Sequence, residues 1–362
     1  MGNYQELSLL LFVTGSHLLP EFGYTIRNIE QDGFPIAARV DVTLSSHSPT
    51  HIARAMGEVT ARFAEVYNRF RPDIVLVLGD RYEMHAAAVA AVPFRIPIAH
   101  IHGGEVTEGA LDEIFRHSLT KMSHLHFVAT ETYGRRIVAM GEEPWRVIVS
   151  GAPSLDNLYT TPLLSPEELK TKLDLDLTHP IVLITFHPTT LESEDTEQHV
   201  KNLLSALKCF PNLSLIFTAP NADLGGHIIR RAIENFVNSH PRSRFCVNLG
   251  TAGYFTLMSI ACAMVGNSSS GIIEAASFQL PVVNIGNRQK GRIRAKNVID
   301  TGYETKEIVS ALRKALSPKF KASLKNLPNP YGDGRAAERI LDTLSRIPLE
   351  KLCRKKFFEP RE

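Results

Sequence analysis

Short apolar runs alternate with segments of helical periodicity along the whole chain. In the first half, runs at 7–13, 36–42, 74–78, 96–101, 126–129 and 147–149 are too short for buried helices, so each predicts a strand. Residues 51–70 instead place Ile52, Met56, Val59, Phe63, Val66 and Phe70 three and four apart, which predicts a helix started by Pro49-Thr50. The alanine-rich stretch 81–92 predicts another, directly after Gly79-Asp80. The second half repeats the scheme, with strands at 181–185, 213–217, 245–249, 264–265 and 282–284. Its helices are predicted at 196–209, 228–238, 252–261, 271–278 and 306–316. Such alternation predicts an α/β protein of parallel sheets covered on both faces. Two doubly wound, Rossmann-type domains facing each other across a cleft are expected. Thr161-Pro162 and Ser165-Pro166 break the periodicity and set the division: 1–160, 161–335, and a C-terminal helix and tail at 336–362 that packs back toward the first domain.

Composition narrows the class. The chain has 362 residues, 44% hydrophobic and 22% charged, a length for two domains and a balance typical of globular rather than disordered proteins. A net charge of +2 gives no reason to expect a nucleic-acid or membrane partner. The basic run at 351–356 reads as a solvated terminus. The apolar run 7–13 is too short to span a bilayer and lacks a basic leader, so it reads as a strand. Cys209, Cys246, Cys262 and Cys353 show no ligand spacing and are expected to be reduced, with Cys209 and Cys262 as small core hydrophobes; a cytoplasmic location follows. The pairs His100/His102 and His124/His126 lack carboxylate or thiol partners of zinc-site type, so no metal site is expected.

In doubly wound sheets, ligands bind beyond the carboxyl ends of the strands, which makes the strand-to-helix loops the place to look for chemistry. Asp80 and Arg81 follow the 74–78 strand; His102 and Glu105 follow 96–101, with Asp112, Arg116 and His117 shortly after. Carboxylates interleaved with cations suit acid/base work, because neighbouring charges and burial separate their pKa values. Helix-start acids and surface ion pairs are the bland alternative. His187 before Pro188 is a lone histidine, equally suited to a core. Gly266-Asn267-Ser268-Ser269-Ser270-Gly271 opens a predicted helix and offers backbone N–H groups and hydroxyls to an anion, but an ordinary capped turn explains the same residues. It is neither a P-loop nor a GxGxxG fingerprint.

Taken in order, Gly79-Asp80-Arg81-Tyr82-Glu83, His100-Ile101-His102-Gly103-Gly104-Glu105, Arg116-His117-Ser118-Leu119-Thr120-Lys121, His187-Pro188, the serine loop and residues 284–292 resemble the hydrolysing UDP-N-acetylglucosamine 2-epimerases of sialic-acid synthesis. The likeness runs from about Val13 to Lys356-Phe357-Phe358. It implies a glycosyltransferase-B-like fold and conversion of UDP-N-acetylglucosamine and water to N-acetylmannosamine and UDP, through a 2-acetamidoglucal and without a cofactor. Carried over by motif, Asp80, Glu105, Asp112 and His187 form the catalytic set. Arg81, His102, Arg116, His117, Asn221, Asp223, Ser268, Ser269, Ser270, Glu274 and Arg288 are substrate-binding, with Glu274 on the ribose hydroxyls and the serines on phosphate. The resemblance also implies a homodimer or homotetramer. Two departures stand out. Relatives can carry Glu at the position of His102, and the family's usual first strand, with its Arg-Ala-(Glu/Asp)-Tyr loop, has no counterpart before residues 7–13, which match the family's second strand.

Other readings stay open: the same reaction on UDP-N,N'-diacetylbacillosamine, a glycosyltransferase sharing the fold, or a non-catalytic UDP-sugar-binding protein. Carboxylates at consecutive strand ends count against a transferase, which exchanges no proton at C2.

Overall fold

The structure, a computed structural model, describes residues 7–20, 24–42, 48–107, 111–174, 178–189, 195–220 and 225–359. The chain forms two compact units: Met1–Glu105, Leu111–Gly151 and Arg335–Glu362 make the first, Val106–Ala110 and Ala152–Gly334 the second. The chain leaves the first unit after Gly151 rather than after residue 160, because second-unit groups hold the intervening segment. Ala152 N donates to Tyr331 O at 2.8 Å, and Ser154 Oγ donates to Glu274 Oε1 at 2.6 Å.

In the first unit, β1 (Leu11–Thr14) and β2 (Ile36–Val40) form a parallel pair. β3 (Val75–Leu78), β4 (Ile98–Ile101), β5 (Leu125–Val128) and β6 (Val147–Val149) form a parallel sheet in that spatial order. Among the described residues the pair shares no ladder with the larger sheet, and edge strand β3 leaves Leu76 and Leu78 42% and 53% exposed. The Pro49–Phe70 helix buries Ala55, Val59, Phe63 and Tyr67, a four-residue stripe packed with Val77, Ile98 and the alanines of the Tyr82–Ala91 helix. Its start is set by Ser48, whose Oγ accepts from His51 N, and by Pro49, which lacks the N–H that a first turn leaves unused. Helices Leu111–Met122 and Glu131–Ala139 lie outside the predicted set. The first hides its period because its buried residues are Arg116, Leu119 and Thr120, while the apolar Leu111 and Ile114 are exposed.

The other side of β4 and β5 is covered by the C-terminal segment: Ile340 and Leu344, on the Ala336–Arg346 helix, and Leu352 pack with Ala99, Ile101, Leu125 and Phe127. A buried polar latch holds the tail. Arg146, 1% exposed, donates to Leu352 O and Arg354 O at 3.0 Å each and to Glu143 at 2.8 Å. Glu142, 0% exposed, takes Lys121 at 2.5 Å, Lys355 at 2.7 Å and His126 at 3.1 Å. Burial alone pushes the Glu142 carboxyl up, but the hydrogen bonds from His126, Lys121 and Lys355 outweigh it and hold the pKa at about 2.

The second unit is one six-stranded parallel sheet, ordered β12-β11-β10-β7-β8-β9. Its strands are β7 (Ile181–Thr185), β8 (Ser214–Thr218), β9 (Ser243–Cys246), β10 (Ala263–Gly266), β11 (Val282–Ile285) and β12 (Val298–Thr301). Helices Thr196–Leu207, Gly226–Ser239 and Thr305–Leu316 cover one face, Pro166–Leu173 and Gly250–Ile260 the other. Burial on both faces explains the unbroken apolar run of β7. β12 is absent from the predicted strands because it is an edge strand interrupted by Asp300, which Asn284 Nδ2 reaches at 2.7 Å. The predicted helix 271–278 is a single α-turn, Ser270–Ile273, followed by a 3-10 turn, Ala275–Phe278, so little dipole backs the serine loop. All four cysteines are unpaired; Cys209 is exposed rather than in the core, because the helix ends at Leu207. Among the described residues no helix is long and apolar enough to cross a membrane.

Two stability outcomes follow. Glu142→Ala removes the buried carboxylate that pairs with half-buried Lys355 and should cost about 3–5 kcal/mol in urea unfolding, as breaking a buried ion pair does; a loss below 1 kcal/mol would show the latch to be marginal. Burial also holds His100 neutral down to about pH 3 and His124 to about 4, against an ordinary 6.5. The unfolded chain binds those protons first, so this stability is complete above about pH 6.5 and is lost as pH falls toward 3–4, at up to about 1.4 kcal/mol per pH unit for His100. Urea midpoints measured from pH 8 to pH 5 should therefore begin to drop near 6.5, and a flat profile would contradict it.

Candidate functional site

In the first unit the site residues gather beyond the carboxyl ends of β3 and β4, which are neighbours in the sheet. Asp80 follows β3 and His102 to Glu105 follow β4. The Leu111–Met122 helix brings Arg116 beneath them, 1% exposed. Its guanidinium donates to Asp80 Oδ2, to Glu113 Oε2 at 2.5 Å and to the Glu105 carbonyl at 3.3 Å. A buried guanidinium needs such acceptors, since an unpaired charge would carry its full desolvation cost. The second Glu113 oxygen lies 3.1 Å from His117 Nε2, so one carboxylate orders both Arg116 and His117. Asp112 sits half-buried in the first turn of that helix. Arg81 turns elsewhere: it lies at the surface, over the Tyr82 ring, with Nε 3.6 Å from Glu83.

The turn after β4 is sharply constrained. Gly104 has φ +75°, and a Cβ there would sit 2.5 Å from Tyr133 O, so only glycine fits. Arg136 donates to the Gly104 carbonyl. The turn folds Glu105, 4% exposed, back to within 2.6 Å of His102 Nδ1. The other paired histidines are structural. His100 Nε2 lies 2.8 Å from Gly79 O, His124 Nδ1 accepts from Ile98 N at 3.1 Å, and His126 joins Glu142.

In the second unit the chain runs outward from β7 to β9, returns to β10 beside β7, and continues outward on the other side. The strand order therefore reverses between β7 and β10, where loops diverge and leave room for a ligand. His187 follows β7, Asn267–Ser270 follow β10, and Arg288 and Gln289 follow β11. Gly266, φ +137°, brings β10 so close to β7 that a Cβ would collide with Thr185 O. Asn267, 1% exposed, ties the three loops together. Its Oδ1 accepts from His187 N at 2.7 Å and its Nδ2 donates to His187 O at 2.9 Å. Its carbonyl accepts from Arg288 at 3.1 Å and Gln289 at 2.8 Å. Burial, helped by Arg288, lowers the His187 pKa to about 3, so its ring is neutral and acts through hydrogen bonds rather than charge.

Hydroxyls line the same edge. Thr185 Oγ1 lies 2.7 Å from Thr218 Oγ1 and 3.3 Å from Tyr254 Oη. Glu274, 8% exposed, is fixed by Ser154. Sequence reasoning thus missed Glu113, Asn267, Tyr254, Thr185 and Ser154. Asn267 and Glu113 had a local signal, Asn267 inside the serine loop and Glu113 three and four residues before Arg116 and His117; the others act through partners distant in sequence. Asn221 and Asp223 lie outside the described residues.

Comparison with known proteins places this arrangement. Over 360 residues the chain is 40% identical to the GDP/UDP-N,N'-diacetylbacillosamine 2-epimerase (hydrolyzing) of Campylobacter jejuni, covering 99% of this chain and 93% of that protein. It is 39% identical to the UDP-N,N'-diacetylbacillosamine 2-epimerase (hydrolyzing) of Legionella pneumophila, over 95% of this chain and 90% of that one. The glycosyltransferase-B-like fold is shared with the crystal structure of the Neisseria meningitidis UDP-GlcNAc 2-epimerase bound to UDP-GlcNAc, at TM-score 0.83 and 20% identity over 95% of this chain and 93% of that one. The UDP-N-acetylglucosamine 2-epimerase family pattern matches residues 1–345, and the chain, with its constrained turn after β4 and its serine loop at the strand-order reversal, belongs to that family.

Proposed function

We propose that this protein is a hydrolysing 2-epimerase of UDP-linked 2-acetamido sugars, with UDP-N,N'-diacetylbacillosamine preferred over UDP-N-acetylglucosamine. The preference rests on the relatives: those at 40% and 39% identity carry the diacetylbacillosamine name, against 32% for the UDP-N-acetylglucosamine 2-epimerase of Neisseria meningitidis serogroup B. The observation that carries the reaction class is the assembly after β3 and β4, where Asp80 is bound to Arg116 and Glu105 to His102. Carboxylates and an imidazole with fixed partners are what proton removal and return at a sugar carbon require.

In this reading the second unit holds UDP. The Ser268–Ser270 hydroxyls and backbone amides take the diphosphate, Arg288 stabilises the charge that grows as UDP departs, and Glu274 takes the ribose hydroxyls. Neutral His187 donates a hydrogen bond. Loss of the C2 proton and of UDP gives the 2-acetamidoglucal; water then adds its oxygen to C1 while C2 is reprotonated on the opposite face.

The test is UDP release from both sugars, run in D2O. The diacetylbacillosamine sugar should show the higher kcat/KM, and the product should carry deuterium at C2. A faster reaction with UDP-N-acetylglucosamine would reverse the substrate assignment, and product without deuterium would exclude elimination. Two variants separate binding from chemistry. Ser268→Ala combined with Ser269→Ala should weaken UDP binding by about 1–3 kcal/mol in calorimetry, the usual cost of losing hydrogen bonds to a charged group. Asp80→Asn should bind UDP normally but turn over roughly 10²–10⁴-fold more slowly.

A further inference from the structure

His102 and Glu105 form a directed pair. The 2.6 Å contact runs from the ring Nδ1 to Glu105 Oε1. An ionised carboxylate only accepts, so the ring proton lies on Nδ1 and the lone pair on Nε2. That nitrogen makes no hydrogen bond among the described residues. Burial divides the pair in the same sense. The Glu105 side chain is 5% exposed and the His102 side chain 19%, so the imidazole is the member a ligand can reach. The backbone is held for the purpose: His102 has φ +67°, in the left-handed region that a residue with a side chain rarely enters without outside support. Support comes from Arg136 on the Gly104 carbonyl and Arg116 on the Glu105 carbonyl. Asp80, the nearest carboxylate of the preceding strand end, already accepts from Arg116. The ionisable groups tied to the pair are His100 on β4, Arg116 on the Leu111–Met122 helix with Asp80 and Glu113 on its guanidinium, and Arg136 on the Glu131–Ala139 helix.

We propose that His102 is the catalytic base that removes the C2 proton, and that Glu105 is its positioning residue. The motif reading had placed Glu105 in the catalytic set and His102 among the binding residues; the geometry exchanges the two. The proposal rests on the epimerase reading above. In the step, the Nε2 lone pair takes the C2 proton and the C2–H electrons become the C1=C2 double bond. The C1–O bond breaks, its electrons leaving on the diphosphate oxygen. No oxidant, reductant or co-reactant enters, and the imidazolium returns its proton to water before the next turnover. Buried Glu105 stabilises that imidazolium and keeps the ring in the productive tautomer.

The experiment compares wild type, His102→Gln, Glu105→Gln and His102→Glu by UDP release and by deuterium incorporation at C2, with UDP affinity from calorimetry as the check on folding. His102→Gln should keep UDP affinity within about twofold and lose roughly 10²–10⁴-fold in turnover. The wild-type kcat/KM profile should show an acidic limb. Glu105→Gln should lower kcat and move that limb to lower pH, because the imidazolium loses its counter-charge. His102→Glu should recover part of the rate, with the limb in the carboxylate range near about 4–5. A purely structural role would move neither limb. If wild type exchanges at C2 and His102→Gln keeps its rate, or if the limb of His102→Glu stays where wild type has it, the base is another group. If wild type releases no UDP from either sugar, the epimerase reading itself fails and takes this assignment with it.

Discussion

Within each of the two larger sheets every strand runs parallel to its neighbours. Parallel strands need crossover helices, which bury the sheet on both faces and leave few polar positions along a central strand, each with a partner of its own, as His100, His126 and Asn284 have. Charged and hydrogen-bonding groups are thereby pushed to the strand ends, and all carboxyl ends of one sheet lie along one edge. Nearly everything with chemical capacity in this chain sits there. In the second unit the reversal of strand order between β7 and β10 adds the open space. In the first, the adjacency of β3 and β4 sets Asp80 beside the turn that carries His102 and Glu105.

The second constraint is charge burial. Arg116, Arg146 and Glu142 are at most 1% exposed, and each has a full set of partners. Such groups add less net stability than their short distances suggest, because desolvation offsets the attraction. What they supply is definition: the guanidinium of Arg116 fits only with Asp80, Glu113 and the Glu105 carbonyl in place. The same logic has a purely structural outcome at Arg146 and Glu142, which fasten the C-terminal tail to the unit that contains the N-terminal strands.

Histidine serves three ends in this molecule, separated by solvent access. His100 and His126, fully buried, are neutral spacers between elements. His187 is also held neutral, but beside Arg288 at the reversal point, where a hydrogen bond rather than a charge is on offer. His102 keeps partial exposure and a carboxylate partner. One residue type spaced two apart on adjacent strands therefore has different roles, and the pairs His100/His102 and His124/His126 are alike only in sequence.

Much of the fold was legible in the sequence, because strand burial on both faces writes continuous apolar runs and helix burial writes a four-residue stripe. The run at 181–185 and the positions Val59 and Phe63 are direct imprints of packing. The strand-end motifs were legible as well, since parallel topology confines chemistry to those loops. Elements whose inner face is polar were not: the Leu111–Met122 helix turns Arg116 inward, and β12 carries Asp300. Nor could the sequence distinguish a residue that faces the ligand from one that supports it. Glu113, Asn267 and Ser154 act through partners 3 to 120 positions away. The exchange of roles between His102 and Glu105 depends on which of the two is buried. Exposure and hydrogen-bond direction belong to the assembled chain, where residues from separate strands compete for the same acceptors, and no local pattern records that competition.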